Sequence, residues 1–171
     1  MPTFPETNLR TYVRGPGGRD GVWFLAIEVG FPLMLAARAV GAPYHAGRLE
    51  VSRCEDSVAY TGSRRAGDSS YRLVVRPGGP VTPTERDVWL TSRWRAYTHR
   101  LGAVWDTPVA HEPWPLRGGT LDQLHETVTL AASLPAPRTE PLVHFSDGVR
   151  HVRIGVSLPV RPSTVPPGGD R

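Results

Sequence analysis

The chain contains no lysine, and all 20 of its basic residues are arginine. With no side-chain amine, these residues exclude Schiff-base lyases and aldolases, pyridoxal-phosphate enzymes and a Walker-A phosphate site. The codon bias of a high-GC genome is the simple cause of the exchange, and the chemical exclusion holds whatever the cause. The single cysteine, Cys54, forbids an internal disulfide and fits a reducing cytoplasm, the expected location. No apolar run approaches membrane-spanning length, and the opening MPTFPETNLR lacks the basic and apolar regions of a signal peptide. No membrane partner is expected.

Familiar catalytic spacings are missing as well. There is no GxSxG elbow, and Cys54 sits in a strand-like segment without an obvious base. The histidines at 45, 99, 111, 125, 144 and 151 form no HxH, HxxxH or HExxH pattern, so neither a metal nor another cofactor is expected. The glycines of GPGGRDG do not open a helix, and a hairpin turn explains them better than a dinucleotide loop. A net charge of +4 and a pI of about 9.8 raise the question of nucleic acid. The longest basic run is only Arg64-Arg65, however, and Arg93 and Arg95 around Trp94 form the one interleaved cluster. Nucleic acid is therefore not the expected partner, and an arginine-based nucleic-acid binder remains a minor alternative.

What is present fits one domain. A chain of 171 residues buries enough surface for a core and an enclosed pocket. With Gly 18 and Pro 18, turns should be many and long helices few. Residues 6–13 and 22–29 read as two strands joined through RGPGGRDG into an antiparallel hairpin. PLMLAARAVG (32–41) reads as a helix that Pro32 opens and Gly41 closes. Short strands follow at 47–53, 57–64 and 70–76. A second helix over 84–94 has Thr84 as N-cap and Asp87 three residues on, close to a capping box. Strands near 95–101 and 104–111 precede a stretch that reads as a strand leading into a short helix. Strands near 142–145 and 149–158 end the domain, and the Pro/Gly-rich tail 159–171 is expected to be disordered. The fold class is α+β, mainly antiparallel β, a curled sheet or barrel with a few short helices.

Within the first strand, Glu6, Asn8, Arg10 and Tyr12 alternate and so share one face. That face reads either as a solvent-facing strand surface or as a site. For a hairpin centred on Gly17-Gly18, Glu28 should lie near Asn8, with Val22, Phe24 and Ala26 beside them. Two carboxylates next to an arginine in a partly apolar pocket suit general acid/base work, because burial raises one carboxyl pKa while Arg10 keeps the other ionised. HEPWP (111–115) holds Trp114 between two prolines and reads as a rigid kink with its indole inward, or as a ligand contact.

The strings PETNLRTYV, GVWFLAIEV, GAPYHAGR, WLTSRWRAYT and HEPWPL, in this order, resemble the YqjF-like bacterial family of unknown function over residues 3–158. That family is similar in turn to acetoacetate decarboxylase, so the resemblance implies a curled antiparallel β-cone around a small-molecule pocket. PLMLAARAVGAPYHAGR looks like the decarboxylase element that carries the Schiff-base lysine, with Tyr44 at the nucleophile's place and His45 beside it. Glu6 matches one of the decarboxylase's pocket glutamates. Tyr44 cannot form an imine, which excludes the covalent route. Relatives carry a further upstream segment, so either the start of this sequence is misassigned or the domain 1–158 is N-terminally shortened, with a sheet edge that a second copy would cover.

The resemblance thus implies binding of a small organic acid or carbonyl compound. Glu6, Tyr44 and His45 are the candidate catalytic residues, and Arg10, Asn8, Tyr12, Glu28 and Trp114 the candidate contacts. If there is turnover, it should be non-covalent proton transfer of an isomerase, hydratase, dehydratase or cyclase type. The alternative is a non-catalytic or decayed member of the family, since fold alone does not give function.

Overall fold

The hairpin that opens the chain is built by its glycines. Gly17 and Gly18 lie at φ 73° and 74°, a left-handed conformation that costs other residues energy. They close a 3-10 turn, Pro16–Gly18, between β1 (Glu6–Arg14) and β2 (Asp20–Val29). The computed structural model of the chain describes residues 4–160 and, within them, every side chain except that of Val40.

The expected helix after β2 is a 3-10 helix, Pro32–Val40, rather than an α-helix. It ends as expected at Gly41, whose φ of 84° lets its N–H reach the carbonyls of Ala37 and Arg38. Then come β3 (Tyr44–Arg53), β4 (Val58–Arg64) and β5 (Ser70–Pro80), a three-stranded antiparallel meander. Helix α1 spans Glu85–Thr91 and starts with a complete capping box, the Thr84 side chain accepting from Asp87 N and the Asp87 side chain accepting from Thr84 N. It stops short of the expected Trp94, which frees the chain to turn into β6 (Arg95–Arg100) and β7 (Ala103–Ala110). β8 (Arg117–Glu126) runs into the one-turn α2 (Val128–Ala131), the expected strand-then-helix. Beyond it, β9 (His144–Phe145), β10 (Arg153–Ile154) and β11 (Leu158–Pro159) are two-residue pairings. Most of the expected disordered tail lies outside the described residues.

Among the described residues the strands form a single sheet in the order β10-β7-β6-β2-β3-β4-β5-β8-β9, with β1 on β2 and β11 on β7. The sheet is mixed and open rather than wholly antiparallel. β1 pairs along all of β2, so the other edge of β2 is shared. Val22 and Trp23 run parallel to Ala96 and Tyr97 of β6, whereas Ile27–Val29 run parallel to Tyr44–Ala46 of β3. The sheet therefore forks at β2. At the fork β2 carries a bulge: Leu9 faces Ala26 and Arg10 faces Phe24, leaving Leu25 without a partner on β1. A bulge bends and twists its strand, as a fork requires.

Each branch has its own packing. In the β4–β5–β8 branch, Val58, Val75 and Phe145 are buried with Tyr60, Leu73, Leu121 and Val143 against them. In the other, Tyr97 is buried and its hydroxyl donates to Arg19 O at 3.1 Å. Gly15 and Gly21 make room for that ring, since a β carbon on either would come within 2.7 Å of it. No helix among the described residues is long and apolar enough to cross a membrane.

Candidate functional site

The branch β4–β5–β8 carries alternating apolar residues on one face, and that face is hollow. A cavity of about 440 Å³ is lined by Tyr60, Tyr71, Leu73, Val75, Leu121 and Leu124 from the strands, and by Pro141–Phe145 from the segment that ends in β9. The start of β1 supplies the polar rim, Glu6 and Thr7. Strand periodicity explains the lining: Tyr71, Leu73 and Val75 alternate along β5 and face Gly62, Tyr60 and Val58 across β4.

Glu6 is the centre of the polar rim. Tyr44 donates its hydroxyl to Glu6 Oε2 at 3.3 Å, and Asn8 Nδ2 donates to Glu6 Oε1 at 3.5 Å. Glu6 keeps an open side at the rim, and partial desolvation raises its carboxyl pKa, against the lowering effect of the bonds from Asn8 and Tyr44. The Tyr44 hydroxyl is pushed up to about 12, first by burial and then by the charge of Glu6 and the bond to it. It is therefore a fixed donor near neutral pH. Thr7 Oγ1 and the Tyr71 hydroxyl are bonded to each other beside Glu6, and burial raises the Tyr71 pKa.

The sheet brings Glu6, Asn8 and Tyr44 together but separates Glu28 from them. Glu28 pairs with Thr7 rather than lying beside Asn8, and Ala26 pairs with Leu9. The bulge at Leu25 is the reason, because one extra residue reverses the face of everything beyond it. Glu28 is 1% exposed, accepts from Ser69 Oγ at 2.7 Å, and is paired to Arg64 at 3.2 Å. Arg64 also holds Asp68 at 3.0 Å. His45 lies beside Glu28 on the neighbouring strand. Its pKa is lowered by burial and by Arg64 and Arg38.

The remaining expected contacts lie elsewhere. Arg10 does not line the cavity. Tyr12 packs on Trp89 at 4.6 Å between ring centroids, and its hydroxyl donates to Leu90 O at 2.9 Å. Trp114 packs on His111 at 5.3 Å between ring centroids, and Trp94 packs on the same imidazole at 4.8 Å. The sequence reading missed Thr7, Tyr60 and Tyr71. Their strand alternation is visible in the sequence, but the pairing that gathers them is not.

The cavity has one further support. His144 in its wall is paired to Asp87 of α1, Nε2 to Oδ1, at 3.2 Å. Thr84 holds Asp87 from the backbone and the side chain, and these bonds lower the Asp87 pKa.

Comparison with known proteins bears on the family and the fold. Residues 1–150 match the DUF2071 family, described as uncharacterized conserved proteins. The uncharacterized protein YqjF of Bacillus subtilis strain 168 is 30% identical over 149 residues, covering 84% of this chain and 61% of the relative. The chain thus spans about three-fifths of that relative's length. The crystal structure of acetoacetate decarboxylase from Legionella pneumophila is similar with a TM-score of 0.54 and 12% identity, over 92% of this chain and 67% of that one. At that identity the likeness concerns the fold alone.

Proposed function

The chain belongs to the DUF2071 family, YqjF-like in sequence and acetoacetate decarboxylase-like in fold, and on that premise we propose that it binds a small carbonyl compound or organic acid in the Glu6 cavity. The observation that carries this reading is the composition of the wall. An apolar hollow ends in one carboxyl group and a hydroxyl pair, with His144 in its wall tied to Asp87 and no arginine in the lining. Such a site takes a neutral polar group better than a carboxylate, since a second anion beside Glu6 would repel it. A ketone, or an acid held in its protonated form, satisfies both ends.

These residues include no lysine to form an imine, and the turnover that the Glu6 site suits is proton transfer. Glu6 removes or returns a proton at the carbon next to the carbonyl. The Thr7–Tyr71 hydroxyl pair donates to the carbonyl oxygen as negative charge develops there. Tyr44 and Asn8 orient the Glu6 carboxyl. Binding without turnover is the second reading, favoured by the separation of Glu28 and Arg10 from Glu6.

The test is a thermal-shift and calorimetric screen of small ketones, keto acids and their alcohols, repeated on Glu6→Gln and Tyr44→Phe. Ligand stabilisation that weakens in both variants is the expected result. Binding indifferent to both substitutions sinks the site. Isotope exchange from solvent into the bound ligand separates turnover from binding.

A further inference from the structure

Arg93 is a largely buried cation with too few partners. It lies between α1 and β6, and its side chain is 11% exposed. The guanidinium carbon stands 4.4 Å from the ring centroid of Trp89 and 5.7 Å from that of Tyr12. Nε and Nη2 are buried and have no hydrogen-bond partner among the described residues. Nη1 is 3.9 Å from Asp20 Oδ2, too far for a hydrogen bond, while Asp20 gives its other oxygen to Arg14 at 3.2 Å. Beside this group is a cavity of about 370 Å³ lined by Tyr12, Val13, Arg14, Asp20, Trp89 and Arg93. It shares no lining residue with the Glu6 cavity.

Burying a guanidinium while leaving its donors unfilled is costly, and the two aromatic rings offset only part of that cost. Nε and Nη2 are closed off, which leaves Nη1, without a hydrogen bond of its own, as the donor that one carboxylate oxygen can reach. The lining carries two arginines against one aspartate, a balance that a monoanion neutralises. Trp89 remains 48% exposed, a flat apolar wall beside the charge.

We propose that this cavity is a second ligand site, for a small carboxylate carried on a flat apolar body, an aromatic acid being the simplest. Its carboxylate takes the Nη1 edge of Arg93 in competition with Asp20, and its body lies against Trp89 and Val13.

The probe is benzoate, with benzamide as its neutral counterpart. The readout is the indole N–H resonance of Trp89 in the folded chain, assigned by its loss in Trp89→Phe. Benzoate should shift this resonance saturably and benzamide should not. Arg93→Gln should abolish the shift. Should that variant not fold, Asp20→Asn decides alone: removing the competing carboxylate should tighten benzoate several-fold. Equal response to benzamide, no response to benzoate, or weaker binding in Asp20→Asn would each overturn the proposal. A purely structural Arg93 predicts that last result, because Asp20 would then only hold it in place.

Discussion

Gly62 of β4 faces Tyr71 of β5 so closely that a β carbon at 62 would meet Tyr71 Cε1 at 2.3 Å and its hydroxyl oxygen at 2.6 Å. The missing side chain is what allows the Tyr71 ring to lie over β4 and its hydroxyl to reach Thr7. Gly62→Ala should therefore act on stability and binding together. Overpacking of this kind costs about 1–3 kcal/mol, read as a lower urea midpoint. Ketone binding in the Glu6 cavity should weaken as well, because the displaced ring carries the hydroxyl away. A variant with unchanged affinity would detach Tyr71 from the proposed oxygen contact.

The Glu6–Tyr44 bond leads to a titration. Desolvation holds the folded-state pKa of Glu6 above its ordinary value of 4.5. Protonation then favours the fold, so the stability due to this group is fully present below the unfolded-state value and is lost as pH rises through the folded-state value. Wild type should lose stability relative to Glu6→Gln across that window, and no further above it. Tyr44→Phe removes one donor to the carboxylate and should raise the Glu6 pKa still more. Carboxyl carbon chemical shifts followed against pH check both statements.

Local chemistry made much of this legible from the sequence alone. Gly17-Gly18 for the turn, Thr84 with Asp87 for the helix start and Gly41 for the helix exit each depend on a few adjacent residues. Glu6 and Tyr44, 38 positions apart, were linked through family resemblance, and the structure places them in contact. What was not legible depends on a single residue or on distant pairing. Leu25 bulges and so sends Glu28 to the other face, a change that hydrophobic alternation cannot reveal because both faces of β2 are largely apolar. The cavity itself needs β4, β5, β8 and the segment 141–145 at once. The helix over 32–40 has a helical pattern, and nothing in that pattern marks it as 3-10.

Asp87 joins a helix cap to the cavity wall. Thr84→Ala removes the side-chain half of the capping box and should cost about 1 kcal/mol. Because the Thr84 bonds hold the Asp87 pKa below its ordinary value of 3.8, the stability due to Asp87 is present above that value and is lost as pH falls through the folded-state pKa. The acid-side loss should be shallower in Thr84→Ala. Asp87→Ala also releases His144, so it should weaken binding in the Glu6 cavity, whereas Thr84→Ala should do so less. Equal binding losses in the two would assign the effect to the helix rather than to the His144 contact.

The buried pair Glu28–Arg64 is a stability element beside the site. Glu28 is 1% exposed and Arg64 8%, so little water screens either charge. Removing Glu28 leaves the buried Arg64 with only the half-exposed Asp68, and Glu28→Ala should cost about 3–5 kcal/mol. Arg64 retains Asp68, which places the loss toward the lower end. Glu28 Oε2 and Arg64 Nε have no hydrogen-bond partner among the described residues, so the native pair is itself incompletely satisfied. The double variant Glu28→Leu with Arg64→Met removes both charges and should recover most of the lost stability, a positive coupling in a double-mutant cycle. Glu28 pairs with Thr7 across the hairpin, so the same cycle measured on ketone affinity shows whether the pair also positions the hydroxyl pair. If stability recovers in the double variant but affinity does not, Glu28 positions Thr7. If both recover together, the pair only holds β2 to β4.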